Sequence, residues 1–155
     1  MNVFVLDENM KKSAEYTCDK HVVKMITEHV QLLCTTYFYC NMDNLSPYKK
    51  SHYNHPIAIW LRYSLSNWLW LRDYTLILYE EYKYRYNNKM HKAGEICKKL
   101  IIPNILDRGL TKMPCSMPDK YKVNSVVESY RNYYNGEKLS FAKYTKRNIP
   151  YWLNK

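Results

Sequence analysis

The polar side chains best suited to chemistry lie close together between residues 19 and 28. His21 and Glu28 are seven residues apart, which is two turns of an α-helix, so a helix here would place both side chains on one face. A carboxylate in a partly buried site can serve as a general acid or base. The spacing therefore makes Glu28 and His21 candidate catalytic residues.

Two lysines in the same stretch are candidate nucleophiles. Lys24 lies four residues before Glu28, and Lys20 lies four residues before Lys24. A desolvated lysine with a lowered pKa can form a Schiff base with the C1′ atom of a sugar. A solvated helix face with an ordinary Lys24–Glu28 ion pair, worth about 0.2–0.5 kcal/mol, would give the same spacing without any chemistry.

Two further clusters of basic, aromatic and amide residues are candidate nucleic-acid contacts. Stacking of a base on an aromatic ring is worth about 1–3 kcal/mol, which suits a surface that follows a nucleic-acid strand. Packing of the tyrosines in a core helix and an ordinary Glu81–Arg85 pair are the structural alternatives. The candidate contacts are Arg62, Asn67, Arg72, Arg85, Arg131, Tyr133, Tyr134, Lys143, Arg147 and Trp152.

The charge distribution favours a polyanionic partner. Lys and Arg number 24 against 14 Asp and Glu, which gives a net charge of +10. Residues 1–90 hold 11 bases and 9 acids, whereas residues 91–155 hold 13 bases and 5 acids. A basic C-terminal part on a near-neutral body indicates nucleic acid, and duplex DNA is the expected partner. A solubility surface in a lysine-rich proteome is the alternative.

Composition excludes several other classes of protein. A chain of 155 residues fits one domain with a single core, and no run approaches the ~18 apolar residues of a membrane span. The first ten residues lack the basic segment of a signal peptide, and five cysteines without CxxC spacing fit reduced thiols. We therefore expect a cytoplasmic monomer (for a viral protein, in the host cytoplasm or nucleoid) with no metal, no cofactor and no membrane partner.

Hydrophobic spacing predicts a mainly α fold: one compact domain over residues 1–155 with three to five helices and irregular loops. A short strand or extended arm is expected at residues 2–6, with loops at residues 41–55 and 103–124. The expected helices are residues 18–39, residues 57–86 starting at Pro56, residues 93–101, and one that opens with the capping box of Ser125 and Glu128 and ends near Gly136. The expected core stripe of the second helix is Leu61, Leu65, Trp68, Leu69, Leu76 and Tyr79.

The motifs, in this order, resemble the small all-α phage family of pyrimidine-dimer DNA glycosylases with AP lyase activity. The first helix of that family carries an Asp-x-His and, seven residues after the His, its catalytic Glu, which correspond here to residues 19–21 and Glu28. Its second helix resembles the stretch from Trp70 to Arg85, and its C-terminal aromatic and basic segment resembles residues 130–138.

The resemblance implies a domain that binds duplex DNA, extrudes nucleotides at a lesion and needs no cofactor. The family attacks C1′ with the α-amine of its N-terminal residue, and its Glu assists sugar opening and β-elimination, so Glu28 is the expected catalytic residue. The nucleophile departs from the family pattern, because Asn2 is too large for efficient removal of Met1. Either the Met1 amine attacks, or Lys20 or Lys24 replaces it, or lyase chemistry is absent.

Three functions remain open from the sequence. The first is an N-glycosylase/AP lyase that acts on damaged or modified pyrimidines in duplex DNA. The second is a non-catalytic nucleic-acid-binding protein on the same scaffold. The third is a small nucleotide-processing enzyme whose basic surface binds phosphate only.

Overall fold

Two 21-residue helices, α2 (Asp19–Tyr39) and α4 (Leu65–Arg85), pack against each other at the centre of the structure, a computed structural model that describes residues 1–154. The other helices are α1 (Met10–Tyr16), α3 (Pro56–Tyr63), α5 (Lys92–Lys98) and α6 (Val126–Tyr133). Short 3₁₀ turns lie at Asp43–Leu45 and Asp119–Tyr121, and a π-helical turn at Tyr134–Lys138. The predicted mainly α fold is confirmed, with six α-helices in the described residues where three to five were expected.

The helix that carries the catalytic candidates forms as its sequence predicts. Val22, Ile26 and Leu33 are fully buried on the inner face of α2. On the outer face Lys20 and Lys24 are exposed, and Glu28 is partly exposed. The apolar period of three and four residues therefore orients the catalytic candidates toward the surface.

The single helix predicted for residues 57–86 is wrong, because the chain breaks at Ser64. Ser64 is extended, with φ −148° and ψ 137°, and ends α3 immediately before α4 begins. Its hydroxyl donates to the Gly109 carbonyl at 2.7 Å and accepts the Arg108 N–H at 2.8 Å. The Leu65 N–H donates to the Leu106 carbonyl at 3.0 Å, so the 103–124 loop accepts a backbone hydrogen bond that a continuous helix would have made internally. The break also rotates the core stripe of α4, so that its buried residues include Leu71, Tyr74 and Leu78, while Leu65, Leu69 and Leu76 are only partly buried.

Two local features differ from the sequence expectation. α1 was not predicted, and its start is capped by Asn9, whose side chain accepts the Lys12 N–H at 3.0 Å. Gly136 does not end α6, because the chain continues through the π-helical turn. Glycine is needed there for space, since a Cβ at this position would clash with the Tyr121 ring.

The N-terminal arm is extended and buried, but it pairs with no strand in the described residues. Its backbone groups bond to side chains instead: the Tyr74 hydroxyl donates to the Phe4 carbonyl at 2.8 Å, and the Leu6 N–H donates to Ser13 Oγ at 2.9 Å. Arg131 Nε donates to the Leu6 carbonyl at 2.8 Å. These bonds satisfy buried polar groups of the arm and fix its path to Met1.

Arg85 is an internal ion-pair residue rather than the predicted phosphate contact. Its side chain is 0% exposed, and it donates to Glu81 Oε1 at 2.7 Å and to Asp19 Oδ1 at 2.9 Å. It also donates to the Glu15 carbonyl at 2.9 Å. The guanidinium therefore ties α1, α2 and α4 together and cannot reach a ligand on the surface.

Asn67 is likewise structural rather than a nucleic-acid contact. It is fully buried, and its amide donates to the Trp60 carbonyl at 2.9 Å and to Thr111 Oγ1 at 2.8 Å. Its carbonyl oxygen accepts the Thr111 N–H at 2.9 Å. Asn67 is therefore a polar residue in an apolar stretch because it anchors the 103–124 loop through Thr111.

We predict that Arg85→Gln lowers the free energy of unfolding by about 3–5 kcal/mol, because it leaves part of a buried carboxylate network without its cation. Urea denaturation measures the change. Arg72→Gln is the matched control: the Arg72–Asp73 pair lies near the surface, so the control should lose less than about 1 kcal/mol. Equal losses in the two variants would contradict the internal role of Arg85.

A second prediction concerns His29, whose side chain is 1% exposed and hydrogen-bonds Thr75 Oγ1 at 3.2 Å. Burial lowers its pKa to about 3. Between about pH 3 and 6.5 the unfolded chain binds a proton that the folded chain does not, so stability is greatest above pH 6.5 and falls with acidification by up to about 1.4 kcal/mol per pH unit. His29→Met should make this dependence less steep but not abolish it, because burial also lowers the pKa of His21 to about 3, as measured by urea denaturation from pH 7 to pH 5. The same slope in both proteins would show that other groups cause the acid loss.

Candidate active site

The N-terminal amine and the Glu28 carboxylate face each other on the outer side of α2. Met1 N lies 3.8 Å from Glu28 Oε2, and the Asn2 N–H donates to the same oxygen at 3.2 Å. Lys24 Nζ lies 3.2 Å from Glu28 Oε1. The carboxylate side chain is 13% exposed, so it is partly shielded yet open to a ligand. An amine and a carboxylate in this arrangement can exchange a proton after small movements.

The Asn2 side chain fixes the position of the amine. The Tyr130 hydroxyl donates to Asn2 Oδ1 at 2.8 Å, and Asn2 Nδ2 donates to the Ser116 carbonyl at 2.8 Å. Tyr130 comes from α6 and Ser116 from the 103–124 loop. Sequence reasoning missed this role because the partners are 114 and 128 residues away, and no local pattern marks them.

His55, for which the sequence left open a functional role or a simple helix entry with Pro56, is a second residue near the amine. As the N-cap of α3, its Nδ1 accepts the Ile57 N–H at 3.2 Å. Burial, followed by the positive charge of the nearby N-terminal ammonium, lowers the pKa of its imidazole. His-Pro at a helix entry was the available signal, but capping alone accounts for that pattern.

The amine and Glu28 open into a cleft of about 260 Å³. Its walls come from the N-terminal arm, α2, and the chain around the π-helical turn. The residues that shape it include Met1, Phe4, His21, Glu28, Tyr133 and Lys138. Four of the predicted catalytic residues (Met1, His21, Lys24 and Glu28) and one predicted nucleic-acid contact (Tyr133) thus line one cleft.

His21 lies in this cleft as part of its wall. Its ring stacks on Phe4 with centroids 4.3 Å apart, and its Nδ1 hydrogen-bonds the Tyr134 hydroxyl at 2.7 Å. Burial lowers its pKa to about 3, and the positive charges of neighbouring lysines add to the effect. His21 is therefore neutral at physiological pH, which suits support of Phe4 and Tyr134 better than acid catalysis.

Lys20 and Lys24 flank the cleft, and neither is buried. The Lys24 side chain is 62% exposed and is held by Glu28. Lys20 is exposed, with its Nζ 4.6 Å from the centre of the Phe141 ring. A lysine that reacts at neutral pH generally depends on burial, and the structure provides none for these two amines.

The predicted aromatic contacts have different positions. Tyr133 lines the cleft, where Lys138 Nζ lies 4.5 Å from its ring centre. Tyr134 is fully buried against His21, so its predicted contact with nucleic acid is replaced by a packing role. Trp152 is half-buried on the other side of Tyr134, with ring centroids 6.1 Å apart.

Most of the predicted arginine contacts are neutralised by acids of the same chain. Arg72 pairs with Asp73 at 2.9 Å, Arg131 with Asp7 at 3.1 Å, and Arg147 with Glu81 at 2.9 Å. Lys143 is exposed and makes no ion pair within residues 1–154, and its carbonyl accepts the Asp19 N–H at 2.8 Å at the start of α2. Arg62, on α3, also has no carboxylate partner there and donates to the Tyr53 carbonyl at 2.6 Å. The charge excess of the C-terminal part therefore overstates the positive charge available to a ligand.

In the part of the chain that the structure describes, no three His, Cys, Asp or Glu side chains are grouped so that they could hold a metal ion. None of the helices in that part has the length and apolar character needed to cross a membrane.

Comparison with known proteins places the chain in a family. A family model described as pyrimidine dimer DNA glycosylase matches residues 1–93, which include the N-terminal arm, Glu28, His55 and all of α4. No curated protein and no solved structure matches the chain. The matched stretch covers 93 of 155 residues and contains the amine–carboxylate pair. The chain belongs to the pyrimidine dimer DNA glycosylase family.

Proposed function

We propose that this protein is an N-glycosylase and AP lyase that acts on damaged or modified pyrimidines in duplex DNA. The observation that supports the proposal most directly is the Met1 amine held 3.8 Å from the Glu28 carboxylate in an open cleft. Family membership supports a glycosylase-type activity on DNA. We propose the lyase reaction and the identity of the reacting residues in addition to this activity.

The first step joins the amine to the sugar. The Met1 nitrogen attacks C1′ of the target nucleotide, the bond between C1′ and the base breaks, and the base leaves with the bonding electron pair and takes up a proton. Glu28 accepts the proton that the amine loses and returns it to O4′ as the sugar ring opens. The product is a Schiff base between Met1 and C1′, which requires an amine and a carboxylate close together.

The second step cleaves the strand. The positive charge of the protonated Schiff base acidifies the hydrogen on C2′, and Glu28 removes it as a general base. The electron pair moves to form a double bond between C2′ and C3′, and the 3′ phosphate leaves. Lys24 next to Glu28 and Lys138 in the cleft wall provide positive charge near the departing phosphate.

The Met1 amine is a better nucleophile for this site than either lysine. An α-amine is a weaker base than a lysine side chain, so a larger fraction is unprotonated at neutral pH. The network of Asn2, Tyr130 and Ser116 holds the amine beside Glu28, whereas Lys20 and Lys24 are exposed. Preorganisation of this kind lowers the entropic cost of the attack.

We predict that Glu28→Gln lowers the rates of base release and strand cleavage by at least about 100-fold, because general acid–base catalysis contributes about 10²–10⁴-fold. Affinity for the lesion duplex should change only a few-fold. Base release and strand cleavage on duplexes carrying a cyclobutane pyrimidine dimer or an abasic site measure both steps. Glu80→Gln, at an exposed carboxylate paired with Lys83, is the matched control and should keep full activity.

Two outcomes would contradict this assignment. Loss of folding or of DNA binding together with activity in Glu28→Gln would make Glu28 structural. A wild-type protein that binds the duplexes but releases no base and cleaves no strand would instead be a non-catalytic DNA-binding protein on this scaffold.

We also predict that one glycine added before Met1 abolishes strand cleavage while DNA binding is retained. The extra residue displaces the amine by about 3.5 Å and converts the Met1 nitrogen to an amide. Lys24→Gln should slow cleavage without abolishing it, because it removes positive charge near the departing phosphate but leaves the attacking amine in place. Cleavage that survives the added glycine but is lost in Lys20→Gln or Lys24→Gln would assign the attack to a lysine.

A further inference from the structure

A basic and aromatic surface lies on the loop before α3 and on the adjoining helices, and Arg62 is its one member that the sequence analysis predicted as a nucleic-acid contact. The Arg62 guanidinium carbon is 4.2 Å from the centre of the Tyr53 ring and 5.4 Å from that of Tyr39. Lys50 Nζ is 5.4 Å from the Tyr53 ring centre. Lys49 precedes Lys50 and is exposed. Tyr39, Lys49, Lys50, Tyr53 and Arg62 are called the loop surface below.

The positive charges of the loop surface are not neutralised by the protein. None of the ion pairs in residues 1–154 involves Lys49, Lys50 or Arg62. By contrast, Arg131 and Arg147 of the C-terminal part are bound to carboxylates. The charge available to a polyanion is therefore larger on this loop than the sequence distribution indicates.

The loop surface and the cleft share one face of α2. Glu28, Thr35 and Tyr39 are spaced by seven and four residues, which places them on the same side of the helix. Thr35 Oγ1 donates to the Ser51 carbonyl at 2.7 Å and so fixes the loop to that face. From Lys20 to Tyr39 the helix rises ~28 Å at 1.5 Å per residue, with Glu28 between them. That length corresponds to about eight base pairs of duplex DNA.

The loop leads directly into the active site. His52 has a left-handed backbone with φ 52°, and its carbonyl accepts the His55 N–H at 2.9 Å, which closes a turn. His55 lies close enough to the N-terminal ammonium for that charge to lower the pKa of its imidazole. The loop therefore connects the loop surface to a residue near Met1.

We infer that duplex DNA lies along this face of α2, with phosphates on Lys49, Lys50 and Arg62 at one side of the cleft and on Lys20 and Lys138 at the other. The inference rests on the proposed function for placing the reacting nucleotide at Glu28. A basic and aromatic strip about eight base pairs long fits a regular array of phosphates. It moves the main DNA contacts from the C-terminal arginines to the loop surface.

The test compares two charge-matched double variants on an undamaged 16-base-pair duplex. Lys49→Gln with Lys50→Gln removes two charges of the loop surface, and Lys11→Gln with Lys89→Gln removes two exposed, unpaired charges at other positions. Fluorescence anisotropy from 50 to 200 mM salt gives Kd and its salt slope. Removal of two phosphate contacts should reduce the slope by about 1.8 and raise Kd at 100 mM salt roughly tenfold or more. The control should stay within about twofold of wild type, and a loop variant that behaves like the control would overturn the inference.

The same experiment separates this inference from the proposed function, because binding to undamaged DNA requires no chemistry. If the wild type is inactive on lesion duplexes but the loop variant loses affinity, the proposed function fails and the binding surface is supported. If the wild type is active and the loop variant binds normally, the surface is wrong. A loss of affinity for an RNA duplex of the same sequence, with DNA binding unchanged, would also overturn it.

Arg62→Gln provides a second variant, since its side chain also bonds the Tyr53 carbonyl. Thermal unfolding controls for that bond. A folded Arg62→Gln protein should lose about one unit of salt slope. An unchanged slope in this variant counts against the surface.

Discussion

The approach of the Met1 amine to the Glu28 carboxylate depends on burial of residues 3–6 of the N-terminal arm. An extended segment with no strand partner in the described residues has backbone groups that must be satisfied elsewhere. Ser13 and Tyr74 bond the arm at Leu6 and Phe4, and Tyr130 holds the Asn2 side chain. Helices α1, α4 and α6 therefore all position one amine, and α2 supplies the carboxylate. A loss of packing in any of these helices would move the amine away from Glu28.

Internal ion pairs decide where positive charge remains available for DNA. Arg85 forms ion pairs with Glu81 and Asp19, and Arg147 of the C-terminal tail also pairs with Glu81. Thr145 is bound to Asp19 through its backbone and hydroxyl, so the tail is fixed to the start of α2. The basic C-terminal part thus serves largely to close the fold around the helices. Within residues 1–154, Lys49, Lys50 and Arg62 of the loop surface and Lys20 and Lys138 beside the cleft have no carboxylate partner.

Local signals in the sequence were sufficient for the helices next to the candidate site. The apolar period of α2 predicted its extent and a surface position for Glu28, whereas His21 is buried in the cleft wall, and Pro56 marked the start of α3 correctly. The break at Ser64 could not be predicted, because its partners Arg108 and Gly109 come from a distant loop. Arg85 follows Glu81 by four residues, a spacing that is equally common for ion pairs on exposed helices. The burial of Arg85 could therefore not be predicted from the local sequence. The roles of Asn2 and His55 likewise arise from contacts between distant parts of the chain.

If the proposed function is correct, the Met1 amine forms a covalent bond with C1′ of the target nucleotide. The most direct test is reduction with borohydride during incubation with a duplex that carries an abasic site, followed by mass mapping of the trapped peptide. Borohydride converts a Schiff base to a stable amine, so the adduct reports the nitrogen that attacked. We expect a single adduct on Met1 with the lesion duplex and none with the undamaged duplex. An adduct on Lys20 or Lys24, or no adduct on a lesion duplex that the protein binds, would contradict this expectation.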